Sequence, residues 1–276
     1  MADPHPVTGQ LFESPVSPGA GWPEDPATVR TPVARSRDDV ARLSAAARTA
    51  CELDAVISVC RACPRLVAWR EEVARTGRRA SFAHEPYWGR PAPSTGDPDA
   101  PILIVGLAPA ANGANRTGRM FTGDRSGDWL WSALHRAGMA RRECSTATGD
   151  GQALLTARMG ATVRCAPPAN KPTAEERSTC SAYLVREIEL MKNLKVFLAL
   201  GGIAWNATLS AVKAAGWRVP RPKPRFGAEA TVASHDGRDV TLLGCYHPSQ
   251  QNTFTGRLTR SMLDDVLAEA RRLAAG

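Results

Sequence analysis

The sequence predicts an α/β protein, a three-layer αβα sandwich built on a central, largely parallel four-stranded sheet. Short apolar runs such as Ile102–Val105 and Lys195–Leu200 end in glycine, the pattern of buried strands that open into loops at their carboxyl ends. A helix signal begins at Thr173, with Glu176 three residues on, the spacing of a capping box. Strand and helix signals alternate along the chain, which calls for crossover connections and therefore parallel pairing.

In chain order, residues 1–36 are rich in Pro, Gly and Ser without apolar period, and read as a disordered or loosely draped arm. Their removal is expected to cost little chemistry. Residues 37–276 then form a single domain. Its first helix should begin after Ser36, with Asp38 and Asp39 in the first turn, and run to about Ile57. The expected strands are Ile102–Val105, Ala161–Val163, Lys195–Leu200 and Asp239–Tyr246. The helices between and after them are Asp128–Ala137, Thr173–Met191, Ile203–Ala215 and Gly256–Leu273. Ligands of such sheets sit at the carboxyl ends of strands, where Gly106 and His247 fall.

Of the 276 residues, 35 are Lys or Arg and 27 are Asp or Glu, a net charge of +8. A surplus of that sign favours a polyanionic partner through counterion release. No apolar run approaches the ~20 residues a membrane-spanning helix needs, and the opening MADPHPVTGQ is no secretion signal. A cytoplasmic protein with no membrane partner is expected. An odd count of seven cysteines without an export signal argues against a disulfide framework and for metal. Cys60 and Cys63 form a C-x2-C knuckle, and Cys165 and Cys180 follow downstream with fourteen residues between them. Zinc and an iron–sulfur cluster share this ligand set, and spacing alone does not separate them. Cys51, Cys144 and Cys245 read as ordinary thiols.

Three loops concentrate the polar chemistry: GLAPAANGANRTGRMFTGD (106–124), VRCAPPANKP (163–172) and HPSQQNTFTG (247–256). Each follows a predicted strand, so all three should meet at one edge of the sheet. The first lacks both a G-K-[ST] ending and G-x-G-x-x-G, which excludes a nucleotide phosphate loop.

These loops resemble the three active-site motifs of the uracil-DNA glycosylase superfamily. GLAPAANGANRTGRMFTGD with HPSQQNTFTGRLT is similar in particular to family 5, the iron–sulfur-containing type b, and the match covers about residues 55–273. The resemblance implies a monofunctional, monomeric glycosylase that hydrolyses the N-glycosidic bond of uracil in DNA, leaving an abasic site for base excision repair. It implies a 4Fe–4S cluster held by Cys60, Cys63, Cys165 and Cys180. It places Phe121 as the stacking ring and His247 as donor to the uracil O2, with Asn252 contacting base or backbone. Asn170 can present donor and acceptor to a base edge. Asp124 would orient water or stabilise the cationic sugar; its alternative role is to cap the helix that begins near Ser126. Gly106, Ala108, Ala110 and Ala111 line the first motif, where other branches carry a carboxylate or amide. Small residues there suggest a pocket roomy enough for hypoxanthine, xanthine or ethenocytosine. Gln250 and Gln251 occupy the tip that other branches fill with an apolar wedge. Arg116, Arg119, Arg164 and Lys171 stand beside the motifs as phosphate contacts, and no Lys is placed to form a Schiff base. The rival readings are a non-catalytic, metal-stabilised nucleic-acid-binding module and the type-a thermostable branch. The latter needs a Glu or similar residue where this first motif has alanines.

Overall fold

The computed structural model describes residues 2–227, 229–234 and 237–275; Met1 and Gly276, the outer ends of the two predicted segments, lie outside them. In the arm, β1 (Asp3–Pro4) pairs antiparallel with β2 (Leu11–Phe12). Phe12, Val16 and Trp22 are buried in a cluster with Trp88 of the body, each large side chain contributing roughly 1.5–3 kcal/mol by leaving water. Asp25 accepts two hydrogen bonds from Arg90, at 2.8 and 3.0 Å, with both side chains almost wholly buried. The arm is thus draped over the body and anchored by apolar and ionic contacts that its local composition does not advertise.

The expected first helix divides in two. Ser36 caps α1 (Arg37–Ala46) and Thr49 caps α2 (Ala50–Ser58), because the Thr49 hydroxyl accepts from Glu52 N and Ala47 takes extended backbone between them. Next, α3 (Pro64–Arg75) starts on a proline, whose missing N–H costs nothing in a first turn.

The sheet adds β3 (Thr95–Gly96), β4 (Ile102–Gly106), β5 (Ala157–Ala161), β6 (Val196–Leu200), β7 (Ala230–Ala233) and β8 (Asp239–Cys245). Its order is β3-β5-β4-β6-β8-β7. The inner four strands run parallel as expected, although β5 lies at Ala157–Ala161 rather than Ala161–Val163, and β3 and β7 close the edges antiparallel, making six strands. A strand as short as β3 leaves no alternation to read. Between and after the strands run α4 (Ala114–Thr117), α5 (Arg125–Arg136), α6 (Ala174–Leu190), α7 (Gly202–Ala214), α8 (Gln250–Phe254) and α9 (Arg260–Ala275). The Thr173–Glu176 capping box is formed at the start of α6.

Side-chain alternation builds the layers. Ile102 and Ile104 of β4, with Val196, Leu198 and Leu200 of β6, pack in one core with Leu130 and Leu134 of α5 and Leu263 and Leu267 of α9. Leu103, Val105, Phe197 and Ala199 face the other way, toward Leu184 and Ile188 of α6 and Trp205 and Leu209 of α7. Parallel strands bring the segments after β4, β5, β6 and β8 to a single edge.

Candidate active site

Three of those segments line one pocket of about 410 Å³. Leu107, Ala108, Pro109, Ala110, Met120, Phe121, Asp124 and Ser126 come from the loop after β4 and the start of α5. Asn170 comes from the loop after β5, and His247, Ser249 and Gln251 from the segment after β8. Of these, Leu107, Pro109, Met120, Ser126 and Ser249 were not expected as site residues, although every one lies in or close beside a quoted motif.

Phe121 is buried and holds its backbone at φ +52°, a left-handed conformation uncommon for a bulky residue. Its carbonyl accepts from Trp131 Nε1 at 2.9 Å. Two glycines make room: a Cβ on Gly106 would stand 2.9 Å from the Phe121 ring, and one on Gly127 would stand 2.0 Å from the Phe121 carbonyl oxygen. Gly106 therefore backs the ring rather than lining the pocket. The His247 ring lies 5.6 Å from that of Phe121, tilted by 34°. Burial lowers the His247 pKa to about 4, so the imidazole is neutral at physiological pH and keeps one N–H donor.

Asp124 is at once the cap of a helix and part of the pocket wall. Its Oδ1 accepts from Gly127 N at 2.9 Å and caps α5, while its carboxylate lines the pocket. Burial raises its pKa, although the Gly127 and Ser126 amides pull the other way. The second oxygen lies against the α-carbon of Gly113, where a Cβ would approach it to 2.2 Å.

Other named residues go elsewhere. Asn252 donates its amide to the His247 carbonyl oxygen at 2.8 Å, holding the loop rather than lining the pocket. Ala111 packs with the cluster of Val73, Ala74 and Tyr87. Gln250 and Gln251 are exposed on α8, and only Gln251 reaches the pocket lining. Lys171 is exposed beside Asn170, but the three arginines named as phosphate contacts are not. Arg116 is buried over the Phe82 ring, paired with Glu85 and donating to the Asn112 and Gly123 carbonyls. Arg119 is buried between Glu24 of the arm and Asp150. Arg164 donates to Ser94 Oγ and pairs with Glu187. Burial pushes Glu187 up, yet Arg164 and Arg158 outweigh it and hold that carboxyl down at about 2. A guanidinium enclosed by such partners has no face left for a phosphate.

The four cysteines named as ligands converge on a second cavity. Cys60 and Cys63 precede α3, Cys165 follows β5 and Cys180 lies on α6; Leu66, Arg70, Arg164 and Tyr183 complete much of the wall. Among the described residues, no three His, Cys, Asp or Glu side chains close on a single metal ion. Burial raises the thiol pKa values of Cys63, Cys165 and Cys180, that of Cys63 to about 12, and mutual repulsion among the sulfurs adds to it. Arg70 Nη1 donates to Cys165 Sγ at 2.8 Å. Arg70 Nε, Arg164 Nε and Tyr183 Oη, all on residues of this wall, are buried without a hydrogen-bond partner among the described residues. Arg70 sits on the same face of α3 as Leu66 and follows Cys63 by two turns, a spacing that could have flagged it.

Comparison with known proteins agrees with this geometry. A family profile of the uracil DNA glycosylase superfamily matches residues 93–271. The type-5 uracil-DNA glycosylase of Mycobacterium tuberculosis is 57% identical over 98% of both chains. That of Thermus thermophilus is 50% identical over 79% of this chain and 95% of its own. A type-4 uracil-DNA glycosylase of Pyrobaculum aerophilum is more distant, 32% identical over 57% of this chain and 70% of its own. The chain belongs to the uracil-DNA glycosylase superfamily, in its type-5 branch.

Proposed function

We propose that the protein is a monofunctional DNA glycosylase that hydrolyses the N-glycosidic bond of uracil, leaving an abasic site for base excision repair. The observation that carries this reading is the convergence of three loops on one pocket with an aromatic wall, a neutral histidine and a buried carboxylate. Chemistry on a base needs that base out of the stack, and Phe121 offers it a surface. As the glycosidic bond breaks, negative charge gathers on the base. A fixed N–H from neutral His247 stabilises it by a hydrogen bond alone, with no proton transferred. The sugar becomes cationic, and Asp124 attracts that charge or orients the attacking water. With Oδ1 occupied by Gly127 N, this work falls to Oδ2. No lysine lines the pocket, so release by water rather than through a Schiff base follows. Ala108 and Ala110 leave space that supports hypoxanthine, xanthine and ethenocytosine as further substrates.

The cysteine cavity suits a 4Fe–4S cluster on Cys60, Cys63, Cys165 and Cys180. An electron-rich group there would give the orphaned donors of Arg70, Arg164 and Tyr183 acceptors, and Arg70 would offset thiolate charge. Bound, the cluster supplies a tie between the start of α3, the loop after β5 and α6. Among the described residues no helix is long and apolar enough to cross a membrane; action as a monomer in the cytoplasm completes the reading.

The test is a gel assay on duplexes carrying uracil, hypoxanthine or ethenocytosine, followed by alkali. Breaks at the lesion only after alkali are expected. DNA binding without breaks would favour a non-catalytic module instead.

A further inference from the structure

An extruded nucleotide stays attached to its strand, so its flanking phosphates must sit at the pocket mouth, and the arginines first suspected of holding them are buried. Three others are exposed on or just after the chain segments that line the pocket. Arg125 directly follows Asp124, and its guanidinium lies 4.9 Å from the Phe254 ring of α8. Arg257 lies 4.8 Å from Tyr246, the neighbour of His247, and Arg260 lies 5.8 Å from Trp129 of α5. Phe254 is itself 67% exposed. None of the three guanidiniums has a carboxylate within ion-pair distance among the described residues.

We propose that Arg125, Arg257 and Arg260 are a phosphate grip for the DNA strand that carries the flipped nucleotide, an inference that rests on the glycosylase reading above. A cation laid over a ring uses its face and keeps its in-plane N–H donors free for a phosphate. The ring also limits how far the side chain wanders, which lowers the entropy lost on binding. A groove of about 510 Å³ is walled by Arg125, Trp129 and Arg260, with Arg136, Ser132, Asp128 and Glu143 among its other charged and polar walls. Arg136 pairs with Asp264, and Glu143 accepts from Ser132 Oγ. Asp128 lowers the positive field locally, since it senses Arg125 without forming an ion pair.

The test is binding of a uracil-containing duplex by the full-length protein across a salt series, with single-turnover excision at saturating DNA. Each lost phosphate contact should lower the slope of log K against log salt by about 0.9, and the triple change Arg125→Ala, Arg257→Ala, Arg260→Ala by about 2.7. The triple Lys variant keeps the charges and should keep the slope. Lys213 stands at the far end of α7, on the opposite edge of the sheet, so Lys213→Ala should leave the slope as it is. Excision by the triple alanine variant at saturating DNA should stay within about threefold of the parent, since the pocket groups are untouched. An unchanged slope in that variant, or a loss matched by Lys213→Ala, overturns the grip. A parent protein that binds the duplex but excises no uracil overturns the glycosylase reading instead.

Discussion

Because Asp124 is both a helix cap and a pocket wall, two substitutions separate its roles. Asp124→Asn keeps an oxygen that can accept from Gly127 N, and Asn caps helices as well as Asp. Asp124→Ala removes the cap at a cost of about 1 kcal/mol, a fivefold change in the folding equilibrium. For a chain of this size that is a fall in Tm of about 2–4 °C. Burial raises the folded pKa of Asp124, so its stabilising contribution is complete below the unfolded value and disappears as pH rises through the folded one. At neutral pH the ionised carboxylate is therefore a net burden on the fold, and the Asn variant should be as stable as the parent or more so. Its uracil excision should nonetheless fall about 10–100-fold, because an amide has no charge to set against a cationic sugar. Excision of hypoxanthine, a purine whose departure leans more on the sugar side, should fall further. Thermal melts and single-turnover rates on matched duplexes measure both quantities. An Asn variant with full activity on every base would return Asp124 to a capping residue alone.

The remaining expectations concern other parts of the molecule. His247→Ala should slow uracil release by about 10²–10³, the worth of one positioned donor in single-turnover assays. Since burial holds His247 near 4, below its unfolded value of about 6.5, its linkage makes the parent lose stability as pH falls from 6.5 toward 4; melts of His247→Gln should lack that portion. On the cluster proposal the parent should purify with iron, Cys60→Ser without it and with a lowered Tm, and Cys245→Ser should match the parent; stoichiometric zinc in the parent would end that proposal. Deleting residues 1–36 strands Arg90, whose partner Asp25 is buried with it, and a broken buried pair costs about 3–5 kcal/mol. The truncated chain should melt about 6 °C lower or worse; an unchanged Tm would show that the arm's buried contacts do not hold the fold.

Residues that act through their immediate chain neighbours were legible in the sequence. The capping box of Thr173, the glycine ends of β4 and β6 and the three loops all rest on local spacing, and each stands where the pattern put it. What escaped depends on partners remote in the chain. Arg119 and Glu24 are 95 positions apart, so nothing near Arg119 distinguishes a buried ion pair from a solvated charge. Arg158 interrupts the apolar run of β5 and displaced the expected strand toward Ala161. Its charge is met by Asp54 and Glu187, brought in from α2 and α6. Phe12 and Trp22 look like stray aromatics in a loop until Trp88 arrives to cover them. In the site, the residue types were readable, whereas the direction of the Asn252 amide, turned to a backbone carbonyl, was not.

The hydrogens on Gly106, Gly113 and Gly127 set the terms on which this pocket can change. Each marks a spot where one added methyl group would press on Phe121 or Asp124 at under 3 Å, so these positions are poor routes to a new substrate. Ala108 and Ala110 line the pocket directly, and side chains enlarged there would narrow it. Selection for a different damaged base therefore has a short list of places to act, and the chemistry can be inherited intact while the range of bases shrinks or widens around it.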